Sequence, residues 1–110
     1  MNTVRAPFIL VNFKTYLEAT GRRAVRLAKL AERVTHECDI CIAVAPQFTD
    51  IYRMAQEVDI PIFAQHMDFA EPGSFTGYVL PESIKEAGAM GTLINHSERR
   101  LKLADVDATI

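Results

Sequence analysis

Short apolar runs alternate with longer amphipathic stretches along this chain of 110 residues, a pattern that predicts successive βα units. Phe8 to Val11 is continuously apolar, as expected of a strand buried on both faces. A helix follows, with Thr20 as its expected cap. Ala24, Leu27, Ala28, Ala31 and Val34 fall on its inner face, and Arg22, Arg23, Arg26, Lys29, Glu32 and Arg33 on its outer face. Ile40 to Ala45 is the second expected strand, stopped by Pro46. From about Thr49 to Val58 the helical spacing returns through Ile51, Met54, Ala55 and Val58. Ile62 to Gln65, introduced by Pro61, is the third strand. A polar loop from Met67 to Val79 then leads to a short helix from Pro81 to Ala87, with proline at a favoured first position and Gly88 beyond its end. Thr92 to Ile94 is the fourth strand, and Asp105 is the expected cap of a fourth helix carrying Val106 and Ile110.

Strands that alternate with helices at this spacing imply right-handed crossovers and a parallel sheet. A doubly wound sheet fits the alternation too, but no G-x-G-x-x-G follows the first strand, where a dinucleotide fold carries it. The polar residues cluster instead at the C-terminal ends of strands one, three and four, where a (β/α)8 barrel keeps its active site. Such a barrel takes about 250 residues. The fold class is therefore α/β, with parallel βα units forming the first half of a (β/α)8 barrel. Residues 1–110 are read as that half, cut within the fourth helix, because an isolated helical turn is not stable by itself. The sequence is thus expected to be part of a longer protein.

Composition narrows the function classes. Hydrophobic content of 49% and charged content of 24% are ordinary for a globular protein. A net charge of -2 supplies no basic field for nucleic acid, and the pairs Arg22-Arg23 and Arg99-Arg100 are too small to suggest a membrane surface. No apolar run approaches the roughly 20 residues that span a bilayer. Arg5 and Pro7 interrupt any leader-like start, so a cytoplasmic location is expected. Cys38 and Cys41 have C-x2-C spacing but no second pair, and Cys41 falls inside a strand, where it packs as a small hydrophobe. Neither a metal nor a cofactor is expected.

Two motifs carry candidate chemistry. Val11-Asn12-Phe13-Lys14 closes the first strand, and a strand period of two puts Asn12 and Lys14 on one side. Asn95-His96-Ser97-Glu98-Arg99-Arg100 follows the fourth strand, with Ser97 expected to cap a helix. A helix start carries roughly +0.5 of a charge and so favours a neutral imidazole at His96. A neutral histidine can donate to a carbonyl and pass a proton without first losing one.

Together these motifs resemble triosephosphate isomerase. Asn12 and Lys14 after strand one and His96-Ser97-Glu98-Arg99-Arg100 after strand four stand at about that family's separation. Ala64-Gln65 at the end of strand three and Gly73-Ser74-Phe75-Thr76-Gly77 in the following loop match as well. Asn95 in place of glycine, with compact loops, is similar to the archaeal branch. The resemblance runs from Phe8 to Ile110.

It implies interconversion of dihydroxyacetone phosphate and glyceraldehyde 3-phosphate through an enediolate. The family is itself the familiar example of a site that keeps its histidine neutral. His96 then matches the electrophile and proton shuttle. Lys14 matches the catalytic cation, with Asn12 holding substrate and orienting it. Ser97 and Glu98 would support the site, although Glu98 reads equally as a helix-start acid. Thr76 matches a loop that enters a neighbouring subunit, which implies self-association as a homodimer or homotetramer. Tyr78 departs from the glutamate common there, and His66 from a frequent asparagine. The general base, a glutamate after strand six, and the phosphate-binding loops lie beyond these residues. The 110-residue chain alone is therefore expected to be inactive. The alternative is a catalytically inactive half-barrel that serves folding or assembly.

Overall fold

In the computed structural model, which describes residues 3–110, four parallel strands alternate with helices. Strand β1 (Phe8–Asn12) pairs with β2 (Cys41–Ala45) in register Phe8 to Cys41 through Asn12 to Ala45. Strand β3 (Phe63–Ala64) pairs with β4 (Gly91–Thr92). A single parallel bridge, Val44 to Ile62, joins the two pairs, and the Val44 amide donates to the Pro61 carbonyl at 3.0 Å. The strand order is thus 1-2-3-4, the start of a barrel wall.

The helices are α1 (Arg22–Cys38), α2 (Phe48–Glu57), α3 (Pro81–Ala87) and α4 (Leu103–Thr109). Helix α1 lies against β2 and α2, and α2 against α3. Between them sits one apolar cluster that includes Ala24, Ala28, Val44, Ile51, Met54, Ile62 and Ala64. Ile51 and Met54 emerge from the α2 periodicity as expected. Cys41 packs in fully buried β2, and both cysteines are free.

Several local expectations shift. Helix α1 does not start on Thr20, whose hydroxyl turns back to the Tyr16 carbonyl (2.8 Å) and accepts from Gln47 Nε2 (3.0 Å). Gly21 is the cap residue, and its amide donates across the fold to buried Asp50 (2.9 Å) on α2. The α1 inner stripe is also rotated. Ala24, Val25 and Ala28 are buried, whereas Leu27, Leu30 and Val34 stand on an uncovered flank.

Strand β1 was expected to be buried on both faces, yet Phe8, Ile9 and Val11 are exposed, Ile9 by 51%. Among the described residues only β2 pairs with β1, so its other edge and inner face meet solvent. The third and fourth strands are shorter than expected, and β4 starts one residue earlier.

Helix α3 has the expected bounds. Gly88 beyond it takes φ +117° and donates to the Ile84 and Lys85 carbonyls. A Cβ there would stand 2.5 Å from Ala55 Cβ, so glycine lets α3 approach α2. Asp105 lies within the first turn of α4 instead of capping it; Lys102 is the cap residue.

Candidate functional site

The C-terminal ends of the four strands open into one cleft of about 520 Å3. Asn12 and Lys14 enter it from β1, Gln47 from the end of β2, Gln65 and His66 from β3, and His96, Glu98 and Arg99 from the segment after β4. The two sequence motifs, more than eighty residues apart, therefore share one wall.

Strand periodicity is not what brings Lys14 to Asn12. Strand β1 ends at Asn12, and Lys14 takes a left-handed backbone, φ +51°. Such a conformation costs a residue with a Cβ about 1–3 kcal/mol and persists only where the surroundings hold it. Here Asn12 Oδ1 accepts the Lys14 amide at 2.9 Å. On the other side, Gln65 Nε2 donates to the Lys14 carbonyl (2.8 Å) and the Ala45 carbonyl (3.0 Å).

His96 also departs from the expected setting, since no helix begins at Ser97. Asn95 is left-handed, φ +60°, a conformation that asparagine and glycine tolerate best. Its side-chain oxygen accepts the Leu101 amide at 2.8 Å, which turns the chain before α4 can start. Residues 96–99 close a single turn through Arg99 N–H to His96 O, 2.8 Å. Within that turn the Glu98 amide donates to His96 Nδ1 at 3.0 Å. An Nδ1 that accepts carries no proton, so the ring proton sits on Nε2. One backbone amide, and no helix start, thus selects the Nε2–H tautomer.

Glu98 is consequently not a helix-start acid. Its carboxylate reaches Lys14 Nζ at 3.4 Å and His96 Nδ1 at 3.8 Å, linking the two motifs. Ser97 is exposed in the turn and caps nothing. Thr76 lies away from the cleft, in an exposed stretch from Glu71 to Tyr78 where Phe75 and Tyr78 stack edge to face at 5.5 Å. Below that loop, the Asp68 amide donates to Val79 O (2.9 Å) and Val79 N–H donates to Asp68 Oδ2 (2.7 Å). Asp68 Oδ1 meets buried His66 Nε2 at 2.8 Å. Burial raises the Asp68 pKa, but the Val79 amide, the His66 bond and the nearby His66 and Arg99 charges outweigh it and hold the group below its ordinary value.

The family model described as triosephosphate isomerase matches residues 7–110. The chain belongs to the triosephosphate isomerase family. It is 59% identical over 105 residues to a triosephosphate isomerase of Methanosarcina acetivorans, a match covering 96% of this chain and 47% of that protein. A triosephosphate isomerase of Methanobacterium bryantii is 55% identical over 111 residues, covering 100% of this chain and 49% of that protein. The Methanocaldococcus jannaschii protein of the same name is 52% identical over 102 residues, covering 93% and 47%. The chain spans about half the length of the curated relatives it matches, along the first half of the family's barrel. Among the described residues no side-chain cluster could hold a metal ion, and no helix is long and apolar enough to cross a membrane.

Sequence reasoning missed Gln65 as more than a strand end, and Asp50 altogether. A polar residue closing an apolar strand marks Gln65. Nothing local marks Asp50, whose partner is 29 positions away.

Proposed function

We propose that the protein carrying this chain interconverts dihydroxyacetone phosphate and glyceraldehyde 3-phosphate. The observation that carries this reading is that Lys14 and His96 line one cleft, joined through the Glu98 carboxylate, with His96 Nδ1 accepting the Glu98 amide and Nε2 left free to donate. In the forward direction a carboxylate base takes a proton from C1 of the ketose while electrons move to the C2 oxygen. His96 Nε2–H hydrogen-bonds that oxygen as charge develops, then passes a proton between the two enediolate oxygens. Lys14 offsets the charge of the phosphorylated substrate and of the enediolate, and Asn12 holds both substrate and lysine.

The base comes from elsewhere. Among the described residues lining the cleft, Glu98 is the one carboxylate, and Lys14 already engages it. Residues 1–110 act as the first half of the barrel, and this chain alone is inactive. The loop carrying Thr76 serves self-association as a dimer or tetramer, and the working compartment is the cytoplasm.

A second reading, an inactive half-barrel for assembly, is favoured by the uncovered apolar face of β1. There Val11, Phe13, Leu27 and Ala31 line a groove of about 620 Å3. Intact mass together with a glyceraldehyde 3-phosphate isomerisation assay separates the two. A longer protein with turnover that His96→Ala abolishes supports the isomerase. A 12.3 kDa species without turnover, joined by no second half, supports the assembly module.

A further inference from the structure

We infer that Gln65 is a positioning residue for Lys14, acting through the backbone and never touching substrate. This rests on the isomerase reading for its catalytic consequence, though not for its geometry. The Lys14 side chain leaves from a left-handed residue beyond the end of β1. Its direction into the cleft is therefore set by a backbone conformation that lysine does not adopt unaided.

Two side chains brace that conformation from opposite sides of the residue. Asn12 Oδ1 takes the Lys14 amide, and Gln65 Nε2 takes the Lys14 carbonyl. Asn12 is only two positions away and moves with the same loop. Gln65 is 51 positions away, just past the end of β3, so it ties the Lys14 backbone to a different strand.

Its second bond, to the Ala45 carbonyl, explains why a glutamine suits the position. The Ala45 carbonyl already accepts the Phe13 amide at 3.0 Å and has a second lone pair free, and the Lys14 carbonyl lies past the end of β1. One NH2 group has two protons and satisfies both. A leucine would fill the space and remove the side-chain donor from the Lys14 carbonyl, while the Ala45 carbonyl would keep the Phe13 amide. A glutamate would set a third oxygen against them. The backbone of Lys14 would then relax toward the ordinary φ < 0 region and swing Nζ away from Glu98 and His96.

The test uses the complete protein that carries this chain, with Gln65→Leu and Gln65→Glu. For Gln65→Leu we expect kcat/KM to fall about 10- to 100-fold, the scale of a small misplacement of a catalytic group. In a Lys14→Ala background the same change should have almost no further effect, because the group it positions is gone. Gln65→Glu should regain activity relative to the wild type as pH falls, since a protonated carboxyl can donate one of the two bonds.

Backbone chemical shifts of Lys14 give a readout independent of turnover. Wild type should report a positive φ, and Gln65→Leu a shift toward negative φ. Equal losses in the wild-type and Lys14→Ala backgrounds, or unchanged Lys14 shifts in both Gln65 variants, would overturn the inference. A wild-type protein that does not isomerise trioses would refute the isomerase reading instead, and the Lys14 shifts would still decide the positioning role. If Gln65→Leu does not fold, Gln65→Glu carries the same comparison.

Discussion

The two halves of this chain are built to different standards. Up to Ile60, β2 is buried along its whole length, and α1 and α2 run for 17 and 10 residues over it. Beyond that point the strands are two residues long, and neither α3 nor α4 has a buried residue. Yet the cleft draws on both halves, Lys14 from the well-packed one and His96 from the sparse one. The difference teaches that packing and chemistry are carried by separate parts of each βα unit. Burial holds the helices and β2, whereas single hydrogen bonds such as Glu98 N–H to His96 and Gln65 to Lys14 hold the candidate site residues.

The sharpest break between the halves should come from the site. In the complete protein, His96→Ala should lower kcat by about 10²- to 10⁴-fold. The melting temperature should barely move, since the half-buried ring makes its contacts within one turn. A large loss of stability would mean that the second half packs more tightly than it looks.

Met54→Ala should do the reverse. Emptying this fully buried position costs about 2–5 kcal/mol in denaturant titrations and should leave KM unchanged. Gly88→Ala probes the contact between the halves. The positive φ and the approach to Ala55 together predict a loss of about 1–3 kcal/mol, and a neutral result would show that α3 can move off α2 freely.

The acid limb of stability gives a finer test. Asp68 titrates below its ordinary value of 3.8 in the folded chain, so it contributes stability above that pH. That contribution fades as pH falls through the lower folded value. Asp68→Asn should flatten this limb of the stability-versus-pH curve; an unchanged limb would remove the group from the account. The smallest effect is expected from Leu103→Ala on α4, within about 0.5 kcal/mol, because that side chain is 84% exposed. A cost near that of Met54→Ala would erase the contrast.

What could be read from the sequence was local. The α2 stripe of Ile51 and Met54, and the Pro81 and Gly88 that bracket α3, depend on neighbours a few positions away. The parallel strands followed from the βα alternation, and the cleft at their ends from the polar residues that close strands one, three and four. The burial of β1 was not legible, because it depends on what lies beside the strand. The Lys14 and His96 settings were misjudged for a different reason. Both were assigned to regular structure, strand periodicity and a helix start, whereas each sits beside or on a left-handed residue braced by side chains. Pattern rules describe regular backbone, and the candidate site residues here stand just past its ends.

The Asp68–Val79 clasp has a consequence for how this protein can change over time. It closes the loop at its neck, so the eight residues from Glu71 to Tyr78 are a cassette hung on a fixed mount. Residues in the cassette can be exchanged, inserted or removed without shifting Gln65 or the lysine it faces. The surface this cassette presents can therefore change while the cleft stays as it is.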